Sequence, residues 1–253
     1  MNILFTICGR AGSKGFKNKN LKEMNGVPLV YYTIAVIRKF IERHKGDNIS
    51  VALNTDSAEL QETVRHQHIL EGIEIVDRKP ELAGDRVAKV DVIRDTFLIL
   101  KERGHLFDIV IDLDITSPLR TVADVEAVIK EYESDPRYEL VFSVVEARRS
   151  PYFNMVEKRG DYFRKICESN FKARQEAPRS YELNASIYVF DPCFLESEIE
   201  DTILDHRCGI SVMKDYLVLD IDSEEDFKMM EFLHRYYLDN DLGIREVCET
   251  AKE

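Results

Sequence analysis

The chain reads as a doubly wound α/β protein with a mostly parallel sheet. Three observations carry that reading. Short continuous apolar runs, typical of strands buried on both faces, alternate with stretches whose apolar residues recur every three or four positions. A glycine-rich loop follows the first run directly, where an open α/β sheet presents its ligand crevice. The 253 residues, 44% hydrophobic with 11 Gly and 7 Pro, suffice for one large core without staples.

The elements follow in order. Ile3-Leu4-Phe5-Thr6-Ile7-Cys8 is the first strand, and Cys8 at its end is expected to be a small buried hydrophobe. Pro28 opens a helix in which Val30, Ile34, Ile37 and Ile41 share a face; proline there removes an N–H that has no helical partner. Residues 49–53 form the next strand, and Ser57 is placed to cap a helix that runs through Arg65. Residues 73–76 read as a strand, and Val90, Ile93, Phe97 and Leu100 as a helix face. Residues 109–111 are a strand, Val122, Val125, Val128 and Ile129 a helix face, and residues 140–145 a strand.

Residues 146–182 break the alternation. Arg148, Arg149, Arg164, Lys165, Lys172, Arg174 and Arg179 interleave there with Tyr152, Phe153, Tyr162 and Phe163, without a crossover helix. An irregular insertion of this length is expected to be a lid or an interaction arm. Regular pattern returns at 185–190 and at 216–221, the second read as a strand ending in Asp220-Ile221-Asp222. Ser223 and Asp226 resemble a capping box for a helix carrying Phe227, Met230 and Leu233. Phe232, Leu233, Tyr236 and Tyr237 are expected to pack this last helix onto the sheet. The domain expected is single, 1–253, with 146–182 inserted.

Acidic residues outnumber basic ones by 47 to 35. Residues 191–253 hold 18 acidic and 6 basic residues, so the excess lies entirely in that segment and the rest is balanced. A nucleic-acid binder needs positive potential and is not expected. Within the balanced part, residues 9–22 carry Arg10, Lys14, Lys17, Lys19 and Lys22 and no acid, which points to a small anionic ligand. Five scattered cysteines without C-x-x-C spacing indicate neither a zinc site nor a disulfide framework, and reduced thiols fit the cytoplasm. The apolar start is too short for a signal peptide and the longest apolar runs fall short of a membrane span, so no membrane partner is expected. His66 and His68 read as surface residues.

Three constellations could carry chemistry. The loop Gly9-Arg10-Ala11-Gly12-Ser13-Lys14-Gly15, continued by Lys19 and Asn20, has glycines that let backbone approach phosphate and cations to hold its charge. Its G-x-x-G-x-x-G spacing fits neither the dinucleotide fingerprint nor the P-loop, leaving a triphosphate site of another kind. Asp220 and Asp222, two apart at a strand's end, would face one side and could share a hard cation such as Mg²⁺, which takes few carboxylates along with waters and substrate phosphates. Asp112-x-Asp114-x-Thr116 resembles the nucleophile motif of haloacid-dehalogenase-type phosphatases, but no acidic metal motif of that family follows it.

Taken together, ordered segments give a more specific resemblance. They are the glycine loop with Lys19-Asn20, Arg78 with Pro80-Glu81-Leu82-Ala83, Thr116-Ser117-Pro118-Leu119-Arg120, Asn184-Ala185-Ser186-Ile187-Tyr188 and Asp220-Ile221-Asp222-Ser223-Glu224. The chain resembles the CMP-sialic acid synthetases (acylneuraminate cytidylyltransferases), which activate nine-carbon sugar acids with CTP. The resemblance implies a Rossmann-like nucleotidyltransferase fold, Mg²⁺ as cofactor, and a homodimer whose small arm, residues 146–182, reaches the neighbour's site. It implies that Arg10, Gly12, Ser13, Lys14 and Lys19 hold the CTP phosphates, that Asn20 and Arg78 place the cytidine, and that Asp220 and Asp222 bind the metal. Arg10, Lys19, Asp220 and Asp222 would be the catalytic set; Asp114, Thr116, Arg174, Gln175, Asn184 and Tyr188 would shape the sugar site.

Two departures bear on the sugar. Sialic-acid activators commonly have Gln-Pro before Thr-Ser-Pro-Leu-Arg, where this chain has Asp114-Ile115, and often Arg where it has Glu182. Exchanging an amide and a cation for two acids should change sugar choice, because an unpaired buried group discriminates strongly. With Ser150-Pro151-Tyr152-Phe153-Asn154 and Arg174-Gln175-x-x-Pro178, the chain resembles the branch that activates legionaminic acid; N-acetylneuraminic acid is the alternative sugar. A cytidylyltransferase for keto-deoxy-octonate would lack the Thr-Ser-Pro-Leu-Arg segment. A non-catalytic CTP-binding module would keep the glycine loop and not need the acid pair.

Overall fold

The first apolar run forms β1 (Asn2–Gly9) and lies inside the sheet, paired on both sides. The computed structural model describes residues 1–12, 16–199 and 201–253. A tight hairpin, β2 (Glu23–Met24) and β3 (Val27–Pro28), turns at Asn25-Gly26, both with positive φ, and leads into α1 (Leu29–Arg43). Then come β4 (Asn48–Thr55), α2 (Ala58–Arg65), β5 (Glu74–Asp77), α3 (Lys89–Glu102), β6 (Ile109–Leu113), α4 (Val122–Ser134) and β7 (Leu140–Glu146). Ser57 caps α2 as its position predicts, its Oγ accepting the Leu60 N–H at 3.2 Å.

Residues 146–182 contain an exposed two-stranded hairpin, β8 (Val156–Arg159) and β9 (Tyr162–Lys165), paired antiparallel. Tyr181 and Glu182 already belong to β10 (Tyr181–Phe190). The chain continues through α5 (Pro192–Glu196), β11 (Cys208–Val212), α6 (Glu224–Asn240) and α7 (Leu242–Thr250).

The central sheet has the order β11-β7-β10-β6-β1-β4-β5. β10 runs antiparallel to β6 and β7, and the remaining pairs are parallel, so the mostly parallel reading holds. Helices cover both faces: α1, α4 and α7 pack with Phe5, Ile7 and Ile111 on one, α3 and α5 with Leu4, Val110 and Phe142 on the other. No helix among the described residues is long and apolar enough to cross a membrane.

Two expectations near the C-terminus need correction. Residues 216–221 are not a strand: Asp215–Val218 is a 3-10 turn and 219–222 have no regular structure. The strand in this region is β11, beside β7. A short apolar run fits strand and helical turn alike, and here the 3-10 turn carries it. The capping box at Ser223 and Asp226 is present, but α6 is followed by α7; Leu233 and Tyr237 pack against the core as expected, whereas Phe232 and Tyr236 are exposed. Met230 and His234 are the buried residues of α6.

Candidate active site

A cleft of about 220 Å³ opens beyond the carboxyl ends of β1, β5 and β6, beside the point where the strand order reverses across the sheet. Its walls include Arg10, Lys19, Asn20, Arg78, Asp114, Thr116 and Asp220, seven residues that the sequence assigned to one site.

One wall is the glycine loop. At Gly9 a Cβ would come within 2.5 Å of Leu60 Cδ2 and 2.9 Å of Ile115 Cδ1, so glycine lets the strand end close against α2 and the 114–116 turn. The Ala11 N–H donates to Asp56 Oδ1 at 2.8 Å, and Arg10 pairs with Asp85. Gly12 adopts φ +67°, which favours glycine. Ser13 and Lys14 lie outside the described residues. Further on, the buried Asn20 donates from Nδ2 to the Arg10 carbonyl at 3.2 Å and ties the loop's two ends together. Lys19 Nζ donates to the Ile221 carbonyl at 3.0 Å and to Asp222 Oδ1 at 2.8 Å.

Arg78 forms part of the wall beside β4. Its Nε donates to Asn54 Oδ1 at 2.9 Å and its Nη2 to the Asn54 carbonyl at 3.0 Å. Asn54 Nδ2 donates in turn to Thr96 Oγ1 at 3.0 Å. Burial lowers the guanidinium pKa, but an arginine stays charged. Cys8 also lines the cleft and is partly exposed, not sealed in the core; burial pushes its thiol up, so it remains a thiol.

The opposite wall is a network of carboxylates around a lysine that the sequence reading passed over. Asp114 Oδ1 accepts from Thr116 N at 2.8 Å and from Thr116 Oγ1 at 2.7 Å. Its Oδ2 accepts from Lys89 Nζ at 2.5 Å, and Lys89 reaches Asp112 Oδ2 at 2.6 Å. Burial alone would lower the Lys89 ammonium and raise the Asp114 carboxyl, but their mutual attraction wins in both, leaving the ammonium above and the carboxyl below its ordinary range. Asp112 is wholly buried, and its Oδ1 accepts from Thr6 Oγ1 at 2.8 Å; enclosed in this way it cannot serve as a phosphatase nucleophile. Arg120, at the end of the same motif, is also buried. It donates to the Ser186 and Asp114 carbonyls and to Thr33 Oγ1, and burial lowers it to about 10. It braces the turn.

The acid pair differs from expectation. Off a strand, Asp220 and Asp222 diverge: Asp220 lines the cleft, whereas the Asp222 side chain is 77% exposed and joined to Lys19. Burial and then the Asp114 charge raise the Asp220 carboxyl. Other assigned sugar residues are not gathered in this cleft. Arg174 and Gln175 line a separate cleft with Arg149 and Arg179, and Arg174 Nη2 donates to the Ala147 carbonyl at 3.0 Å. Asn184 is buried: its Oδ1 accepts from Ser143 Oγ at 2.6 Å and its Nδ2 donates to the Leu217 carbonyl at 3.1 Å, which makes it a brace instead of a ligand. Glu182 lies exposed on β10. Tyr188 lines an adjoining cleft of about 460 Å³, together with Val90, Ile93, Phe190 and Ile203; Lys89 borders both clefts.

Comparison with known proteins places the chain in a family. The family described as "Cytidylyltransferase" matches residues 4–231. A protein of Campylobacter jejuni named CMP-N,N'-diacetyllegionaminic acid synthase is 37% identical over 234 residues, covering 91% of this chain and 94% of that protein. The post-translational flagellin modification protein B of Campylobacter coli is 36% identical over 235 residues, with the same coverage. Among solved structures, a CMP:2-keto-3-deoxy-manno-octonic acid synthetase in complex with CTP superposes with a TM-score of 0.65 at 15% identity, over 94% of this chain and 100% of the other; at that identity the likeness concerns the fold.

Proposed function

The chain belongs to the cytidylyltransferase family, and from that premise we propose that it joins CTP to a nine-carbon sialic-acid-like sugar acid, a legionaminic acid, releasing pyrophosphate. The observation that carries this reading is the cleft itself. Its lining brings Arg10, Lys19, Asn20 and Arg78 together with Asp114, Thr116 and Asp220. The similarity to a protein named for N,N'-diacetyllegionaminic acid supports the choice of sugar.

In the reaction the anomeric hydroxyl of the acid attacks the α-phosphorus of CTP in line, its proton passing to Asp220 or Asp222, as the bond to the bridging oxygen breaks and pyrophosphate leaves. No protein nucleophile is required, so catalysis rests on placement and charge. Arg10 and Lys19, with Ser13 and Lys14 of the loop, hold the triphosphate and take up charge on the departing pyrophosphate. Asn20 and Arg78 place the nucleoside; Arg78 is fit for this because Asn54 fixes its guanidinium plane. Asp114 and Thr116 border the end of the cleft that Lys89 shares with the neighbouring cavity, and Tyr188 lines that cavity. That end receives the sugar acid.

The residues present suit Mg²⁺. Asp220, which lines the cleft, and Asp222, paired there with the cleft residue Lys19, each offer hard oxygen donors to the ion. When bound, Mg²⁺ would neutralise phosphate charge and orient the phosphates for displacement.

We place the enzyme in the cytoplasm as a homodimer, the whole of 1–253 acting as one unit with 146–182 as its arm. The exposed Val156, Tyr162 and Phe163 of the β8–β9 hairpin support the arm as a contact surface. The test of the reaction is pyrophosphate release from CTP and Mg²⁺ with legionaminic, N-acetylneuraminic, pseudaminic and keto-deoxy-octonic acids offered separately. Release with legionaminic acid ahead of the others is the expected result. Silence with all four while CTP still binds would leave a CTP-binding module.

A further inference from the structure

We infer that Lys89 is a positioning residue that acts through Asp114 to set the sugar-acid end of the cleft. This rests on the reading that the enzyme transfers CMP to a nine-carbon sugar acid.

The argument begins with where Lys89 stands. It is the first residue of α3, and its ammonium crosses to the end of β6, 2.6 Å from Asp112 and 2.5 Å from Asp114. Asp112 is wholly buried, and its other oxygen is taken by Thr6. Breaking such a group by removing one partner leaves a charge without compensation, whereas the intact group has a fixed geometry. Asp114 is held on both of its oxygens, Oδ1 by the Thr116 N–H and hydroxyl and Oδ2 by Lys89. The carboxylate cannot rotate without losing one of these bonds. It therefore presents its one remaining lone pair, on Oδ2, in one orientation, as an acceptor for a hydroxyl or amide N–H of the acid substrate.

The second observation is that Lys89 borders both the 220 Å³ cleft and the adjoining 460 Å³ cavity. Val90, Ile93, Phe190 and Ile203 make that cavity largely apolar, and the Tyr188 ring lies 5.8 Å from the Lys89 nitrogen. The nucleotide-holding cations Arg10 and Lys19 line the first cleft and not the second. Lys89 thus stands at the boundary between the phosphate end and an apolar end. Its charge is committed to two carboxylates, so its work is to orient Asp114 and not to hold phosphate.

The inference predicts a particular pattern in a double-mutant cycle, read as separate KM values for CTP and for the sugar acid that the wild-type enzyme turns over. Asp114→Asn, Lys89→Met and the two together should each raise the KM for the acid about tenfold, because both changes remove the same oriented acceptor. The double variant removes one positive and one negative side chain together, so its KM for CTP should stay within about twofold of wild type. Effects that multiply to about a hundredfold in the double variant would overturn the inference, as would an unchanged KM for the acid in Lys89→Met. If the variants lacking Lys89 fail to fold, Lys89→Arg decides, because it keeps a cation beside Asp112 while changing the donor geometry at Asp114: a KM for the acid raised about tenfold with the KM for CTP unchanged supports the inference, and an unchanged KM for the acid overturns it. A wild-type enzyme silent with every sugar acid would instead refute the underlying reading, an outcome separate from any variant's behaviour.

Discussion

The fold should weaken in mild acid through one histidine. His234 is fully enclosed between α1, α6 and α7. Its Nδ1 accepts from Asn25 Nδ2 at 2.8 Å, which places the ring proton on Nε2, 2.8 Å from Cys248 Sγ. Tyr32 meets the ring edge-on with centroids 5.2 Å apart. Burial, with Lys252 and Arg235 nearby, pushes its pKa down to about 4. An ordinary histidine titrates near 6.5 (~6.5), so the unfolded chain takes up a proton that the folded chain refuses. Because the folded pKa is depressed, the stabilisation is complete above about 6.5 and is lost as pH falls toward 4. The gap corresponds to roughly 3 kcal/mol, of which about 2 kcal/mol is gone by about pH 4.5. Urea unfolding near pH 7 and near pH 4.5 measures this when wild type is compared with His234→Gln, whose amide can still accept from Asn25 but does not titrate. Carboxylates titrate in both proteins and cancel. Wild type should lose about 2 kcal/mol more than the variant; parallel losses would refute the reasoning. Asn25 sits at the hairpin turn just after the Lys19–Leu21 turn, so acid should loosen the nucleotide wall as well.

Two further outcomes concern the cleft. Asp222→Asn should lower turnover by a factor of about a hundred or more, while urea unfolding stays within about 0.5 kcal/mol of wild type, because the side chain is 77% exposed; full activity in this variant would remove Asp222 from the metal site. Arg78→Met should raise the KM for CTP and also cost about 1–3 kcal/mol of stability, since it strands the buried Asn54 oxygen; steady-state kinetics and urea unfolding check both.

Much of this was legible in the sequence because period and punctuation agree. The strands β1, β4, β6 and β7 are apolar runs inside the sheet, and β5 is a short run at its edge with Val76 buried. The helix caps at Ser57 and Ser223 follow from side-chain chemistry over three residues. What sequence reading lost depends on distance or on ambiguity. β11 is a five-residue edge strand whose Val212 is exposed, so its pattern is weak. Asn25-Gly26, a strong hairpin signal, could have revealed the β2–β3 turn. Lys89 carried no local signal: its partners Asp112 and Asp114 lie 23 and 25 residues further on, and folding alone brings them together. Asn184 and Arg120 sit in motifs beside the cleft, yet their polar atoms turn inward to satisfy buried neighbours.

The place of β10 in the sheet orders events while the chain is being made. β1, β4, β5 and β6 pair among themselves and are complete once residue 113 has emerged. β7 comes next in the chain, but its two neighbours are β10 and β11, both later. Until residue 190 is available, β7 has no lateral partner, and the outer side of β6 stays open where β10 will insert. A nascent or truncated chain ending between residues 146 and 181 therefore exposes three unpaired, apolar strand edges at once, both of β7 and the outer one of β6. During synthesis, the polar and cationic arm is the segment being produced while those edges wait.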